Sequence, residues 1–205
     1  MNFIYFKTKM TELVCFDLNQ IYAVQPDFDR NNLVRWKKKG YIVALRNGCF
    51  TFPDFLSKPD YAFYFANRMY RPSYVSLHSA LAYYGIIPEA VVQITSVSSL
   101  KTAFFSNPFG EFSYRNLKSE LMFGYDLKPT DKRRSMLFAM PEKAVLDLLY
   151  LYPFYNNEQE MNGLRFDEAF MQHDLNVERL NEFAEKFKSK ALRKRVDLLL
   201  KVYEL

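Results

Sequence analysis

The sequence predicts an α+β chain: an N-terminal winged helix-turn-helix, then a larger mixed α+β domain with a helical C-terminus. Three observations predict it. Apolar side chains in the first 40 residues recur at intervals of three and four, then give way to a short β-forming hairpin pattern around Arg46-Asn47-Gly48. Pro53 and Pro59 bracket a boundary, beyond which β-branched and aromatic runs alternate with turn residues. From Pro141 onward the spacing returns to that of helices. The expected division is a domain over residues 1–53 and a second over residues 60–205, with few contacts crossing between them.

The elements follow in order. Residues 3–13 read as a first helix, with Phe3, Phe6, Met10 and Leu13 on one stripe. Asp17 is placed to cap a second helix through Leu18, Ile21 and Tyr22 to Val24, and Pro26 stops it. Asp27 or Asp29 caps a third through Leu33 and Trp36 to Lys39, and Gly40 suits the left-handed residue past its end. Tyr41–Leu45 and Cys49–Phe52 are short strands on either side of the turn. In the second domain, Ser76 is expected to cap a helix through Leu77, Leu81 and Tyr84 that ends at Gly85. Val91–Val97, Thr102–Phe105, Glu111–Arg115 and Met136–Ala139 are strand candidates. Pro141 opens an apolar helix through Val145, Leu148 and Leu149, and Pro153 ends it. Two more helices follow, one through Leu180, Phe183 and Phe187, the other carrying Leu192, Val196, Leu199 and Tyr203 on one face.

Composition narrows the class. With 49% apolar and 25% charged residues, the 205-residue chain has the balance of a globular protein rather than a disordered one. Its 6 glycines form neither GxGxxG nor GxxxxGK[ST], so no glycine-rich phosphate loop is expected. Cys15 and Cys49 each lie in an apolar stretch and read as small buried hydrophobes of a reducing compartment. The apolar patch in Met1–Lys9 is too short for a signal-peptide core, and no stretch approaches the roughly 18 apolar residues of a membrane span. A cytoplasmic protein without membrane contact is expected, and no cofactor or metal is called for.

Charge is uneven along the chain. The first 53 residues carry eight basic and four acidic side chains, whereas the other 152 carry 20 and 19. That local excess points to a polyanionic partner for the N-terminal segment. On the third helix, a turn of about 100° per residue sets Leu33 and Trp36 on one face and Asn31, Arg35 and Lys38 on the other, with Lys39 beside them. Arg and Asn grip guanine and adenine edges bidentately, and Lys meets phosphates, so this outer face suits double-stranded DNA. The candidate DNA-contacting residues are Arg30, Asn31, Asn32, Arg35, Lys38 and Lys39 on the helix, with Arg46 and Asn47 at the hairpin tip. The plainer alternative is a solubilising lysine-rich helix end favoured by the macrodipole. A second basic run, Lys186, Lys188, Lys190, Arg193, Lys194 and Arg195, reads equally as an extension of a phosphate-contacting surface or as the solvated side of an amphipathic helix.

These segments also carry a resemblance. Asp29 through Phe50 is similar to the winged-helix domain of AbiEi-type antitoxins. The second domain resembles their C-terminal region in Tyr74-Val-Ser-Leu-His-Ser-Ala-Leu-Ala-Tyr-Tyr-Gly-Ile-Ile, Phe112-Ser-Tyr-Arg, Phe123-Gly-Tyr and Met140-Pro-Glu-Lys-Ala-Val-Leu-Asp-Leu-Leu. The resemblance spans roughly residues 15–150. It implies a regulator of a bacterial abortive-infection (type IV) toxin–antitoxin pair that binds operator repeats upstream of its own operon. Its larger domain would counteract a nucleotidyltransferase-like toxin.

Residues for chemistry are sparse. Neither His78 nor His173 has a second ligand at metal spacing, and no GxSxG elbow surrounds Ser76 or Ser79, so no catalytic residue is expected. Asp147, in an otherwise apolar helix, reads as half of a structural ion pair or as a cap for another helix. The alternatives are a nucleic-acid-processing enzyme using acids such as Glu111, Glu120 and Asp126, or a transcription factor whose second domain senses a ligand or dimerises.

Overall fold

A computed structural model describes residues 2–58, 61–131 and 133–205. Pro59, one of the two boundary prolines, therefore lies outside the described residues.

The chain begins with a helix over Phe3–Met10 (α1), capped by the Asn2 side chain, which accepts from the Tyr5 N–H at 2.9 Å. A strand over Cys15–Asp17 (β1) leads into the helix Leu18–Val24 (α2). Asp17 and Gln20 form a reciprocal capping box there, each side chain accepting the other's backbone N–H at 3.0 Å. The helix Asn31–Lys38 (α3) begins where Asp29 Oδ1 accepts the Asn31 N–H, and it ends at Gly40, whose φ of +70° closes the turn. Strands Val43–Arg46 (β2) and Cys49–Thr51 (β3) pair across Asn47-Gly48, with Arg46 opposite Cys49. Among the described residues these strands form an antiparallel sheet in the order β1-β3-β2.

Pro53 opens a 3-10 turn rather than a linker. Beyond it come Tyr61–Met69 (α4), Ser73–Val75 (β4), His78–Tyr83 (α5), Gln93–Ser98 (β5), Ala103–Asn107 (β6), Gly110–Asn116 (β7), Tyr125–Asp131 (β8) and Arg134–Ala139 (β9). Helices Pro141–Leu151 (α6), Glu158–Asn162 (α7), Glu168–His173 (α8), Val177–Lys186 (α9) and Lys190–Val202 (α10) complete the chain. The strands form a mixed sheet ordered β6-β7-β5-β4-β9-β8, parallel at β5–β7 and β4–β9 and antiparallel elsewhere. The architecture is mixed α+β.

Several local expectations are corrected. Ser76 does not cap α5. Leu77 stands at the cap with φ +58°, and Ser76 Oγ instead donates to Asp147 Oδ2 at 2.7 Å. The strand expected from Val91 starts at Gln93, with Val92 in solvent. The two parts of the chain also touch more than the prolines implied. Buried side chains of both form one continuous cluster, and Asn107 Nδ2 donates to the Leu45 carbonyl at 3.0 Å. Arg134 donates to the Glu12 carbonyl and to Asp131 Oδ2, which also accepts from the Tyr61 hydroxyl at 2.5 Å.

The apolar helix α6 sits at the centre of the larger part. Asp147 on it is fully buried and accepts from Lys143 Nζ, Tyr74 Oη at 2.9 Å and Ser76 Oγ. Burial pushes the Lys143 ammonium below its ordinary range, and Asp147 works against that shift. The rings of Tyr74, Phe123 and Phe187 surround the ammonium at 4.9–5.4 Å. The ion pair expected for Asp147 is therefore present, with the desolvation of both charges offset by hydrogen bonds and ring faces.

Candidate nucleic-acid interface

The inner face of α3 fixes the helix in place. Trp36, only 7% exposed, packs against Phe6, Phe3 and Phe28 with ring centroids 4.6, 5.3 and 5.8 Å away. Leu33 is buried beside it. Phe6 in turn stacks on Phe28 and meets Phe16 edge-on, so α1, the α2–α3 connection and β1 all hold the same helix. An aromatic anchor of this size gives α3 one orientation, which a surface that reads a partner needs.

The outer face is open. Arg30, Asn31, Arg35, Lys37, Lys38 and Lys39 are exposed, and Asn32 is half-buried. Arg35 is tied to Asp29 by an ion pair of 2.9 Å on the surface. Such pairs contribute about 0–1 kcal/mol, so a stronger acceptor can displace the carboxylate. Among the described residues, Arg30, Lys37, Lys38 and Lys39 enter no ion pair. Between Asn31 and Arg35 on this face stands Val34, 57% exposed. It is absent from the residues expected on sequence grounds, because an isolated valine in a helix pattern reads as core. Its exposure, one position off the Leu33–Trp36 stripe, is the signal that could have found it. An apolar side chain there can contact a thymine methyl group.

At the hairpin, Asn47 is exposed at the turn. Arg46, also exposed, stands beside it at the end of β2. Its guanidinium lies 5.9 Å over the rings of both Tyr70 and Phe105, so the hairpin tip lies against the larger sheet and is not free on all sides. The cysteines, distant in sequence, are neighbours on β1 and β3. The neighbouring Cys49 side chain holds the Cys15 thiol below its ordinary range, with Arg68 and Arg71 contributing the same way.

The second basic run divides. Arg195 is 8% exposed and its Nε donates to the Leu149 carbonyl at 2.8 Å, Arg193 pairs with Asp197 at 3.0 Å, and Lys186 lies over Phe123 and Phe183. Lys188, Lys190 and Lys194 are not buried. His78 borders a cavity of about 450 Å³ with Glu89 and Gln93, and burial pushes its pKa down. Ser79 Oγ is engaged with the Thr95 N–H and the Gln93 carbonyl. Among the described residues no three His, Cys, Asp or Glu side chains are grouped to hold a metal ion, and no helix is long and apolar enough to cross a membrane.

No protein-family model matches the chain, and no curated protein matches it.

Proposed function

We propose that the N-terminal part is a winged helix-turn-helix that binds double-stranded DNA sequence-specifically, with α3 as the helix that enters the major groove. The observation that carries this reading is the exposed row of Asn31, Val34, Arg35 and Lys38, set opposite an aromatic anchor at Trp36. Donor forks, an amide and a methyl-bearing side chain on one rigid face match the chemistry of base edges. Arg30 and Lys39 flank the row and reach phosphates, as does Asn47 from the hairpin. Arg46 contributes to holding the hairpin on the larger sheet.

With the resemblance to AbiEi-type antitoxins, the chain acts as the regulator and antitoxin of a toxin–antitoxin operon in the cytoplasm. It represses its own promoter and counteracts a nucleotidyltransferase-like toxin by binding rather than by catalysis. Mobility shifts with DNA from upstream of its own reading frame, against random duplex of equal length, test the first half. Equal affinity for the two duplexes at all salt concentrations overturns the sequence-specific reading. Co-expression with the adjacent gene tests the second half: growth arrest that the intact chain fails to relieve removes the antitoxin role and leaves the DNA-binding one.

A further inference from the structure

The larger sheet opens between β4 and β9. These parallel strands share one pair, Val75 with Phe138, and part towards their N-terminal ends. Asn67, near the end of α4, bridges the gap: its Oδ1 accepts the Leu137 N–H at 2.5 Å. The opening is a cavity of about 580 Å³ lined by Asn67, Arg68, Arg71, Ser73, Leu127 and Leu137, among others. That size falls in the range of small-molecule sites, about 300–1,000 Å³.

Its polar wall is rich in donors that no protein group satisfies. Asn67 Nδ2, Arg68 Nε and Ser73 Oγ are buried atoms without a hydrogen-bond partner. Asn67 is 7% exposed and Ser73 3%, so these groups have little access to bulk solvent. Buried donors are nearly always matched, and these three belong to side chains that line the cavity, so a small turn of Asn67, Arg68 and Ser73 towards it lets a ligand supply the missing acceptors. Neither Arg68 nor Arg71 pairs with a carboxylate among the described residues. Since the Asn67 carbonyl is already used and arginine has no acceptor, the wall asks for an anion made of acceptor oxygens. Two guanidinium groups balance the charge of a phosphate monoester, about −1.5 to −2, better than that of a carboxylate. Leu127 and Leu137 then offer an apolar surface for the organic part.

We propose that Asn67, Arg68, Arg71 and Ser73 form a binding site for a phosphate monoester whose apolar or aromatic body rests on Leu127 and Leu137, with a nucleoside monophosphate as the fitting class. The site does not depend on the DNA-binding reading. It does border the N-terminal part, because Arg68 and Arg71 also line a cleft with Cys15, Arg46 and Cys49.

Calorimetric titration of the full chain with AMP, adenosine and inorganic phosphate tests the proposal. Saturable binding of AMP, weaker binding of inorganic phosphate and none of adenosine are expected. Arg71→Gln, at an exposed position, should weaken AMP binding by about tenfold or more. Ser73→Ala should weaken it severalfold while leaving the melting temperature of the ligand-free protein unchanged or higher, since it removes an unmatched hydroxyl. This second variant separates loss of a ligand contact from loss of folding. Absence of saturable binding by both AMP and phosphate means that water satisfies these donors, and overturns the proposal. So does adenosine binding as tightly as AMP, or AMP binding that neither substitution changes. A phosphate at a nucleic-acid end is told from a free nucleotide by 5′-phosphorylated and unphosphorylated oligonucleotides. Equal binding of those two, with no binding of AMP, assigns Arg68 and Arg71 to the phosphodiester backbone and also overturns it.

Discussion

Helices α3 and α10 both carry clustered cations on a helix with one apolar face, yet their charges end in different places. On α3, Lys37, Lys38 and Lys39 stand in solvent without an ion pair among the described residues, and Arg35 is held only by a surface carboxylate. On α10, Arg193 is neutralised by Asp197 one turn along and Arg195 turns inward to the Leu149 carbonyl on α6, while Lys190 and Lys194 stay in solvent. A run of basic residues is therefore not one kind of feature. What decides its role is whether the fold has already provided each cation with a partner: α10 leaves Lys190 and Lys194 unmatched among the described residues, whereas on α3 every cation but Arg35 is left to be matched from outside.

The comparison breaks first at the anchors. Trp36→Ala should destabilise the N-terminal part by about 3–5 kcal/mol, because a large ring is removed from the Phe3, Phe6 and Phe28 cluster. Denaturant unfolding with the wild-type midpoint would show that α3 is held by something else. Arg195→Ala should cost about 1–3 kcal/mol of stability by leaving the Leu149 carbonyl unmatched, with the salt dependence of DNA binding unchanged. A flatter salt slope for that variant would put α10 on the DNA and erase the contrast. Arg35→Ala should show the reverse pattern, with stability nearly unchanged and affinity for the specific duplex lowered by about 1–3 kcal/mol. Lys38→Ala should weaken specific and random DNA alike and reduce the salt slope by about one, with stability within about 0.5 kcal/mol of wild type. If mobility shifts leave both α3 variants with wild-type affinity, the open face of α3 serves another purpose.

The smallest effect is at the junction of the two parts. The Tyr61 hydroxyl, the Arg133 N–H and Arg134 hold the Asp131 carboxyl down to about 2. Because its folded pKa lies below the ordinary carboxylate value of about 3.9, it contributes stability above that value and loses it as pH falls towards about 2. An acid series of unfolding midpoints should decline through this window, and Asp131→Asn should flatten part of the decline. An unchanged acid profile in that variant would mean the contact adds nothing.

Much of the helical framework was legible from local chemistry. The Asp17–Gln20 capping box, the turn at Gly40, the Asn47-Gly48 hairpin and the Pro141 start of α6 are each set by residues within a few positions of one another. The misreadings have long-range causes. Ser76 looked like a cap because its partner Asp147 lies 71 residues away. Strand β1 is three residues long and exists through its pairing with β3. Strand β8 is mostly exposed and carries Pro129, so its pattern reads as a loop until β9 lies alongside. At the candidate interface the outward face of α3 follows from helical periodicity. The engagement of Arg46 by Tyr70 and Phe105 does not, since those rings arrive from other elements.

The contact between β2 and β6 joins the last strand of one sheet to the last strand of the other. A sheet's terminal strand leaves backbone groups able to pair with another chain, which invites aggregation. Here the two terminal strands shelter each other, with Asn107 occupying the Leu45 carbonyl and Arg46 lying across Phe105. Cutting the chain near residue 53 would uncover β6, where Phe104 is already exposed, and would turn a guarded seam into an adhesive rim. The N-terminal part thus also covers the free β6 edge of the larger sheet.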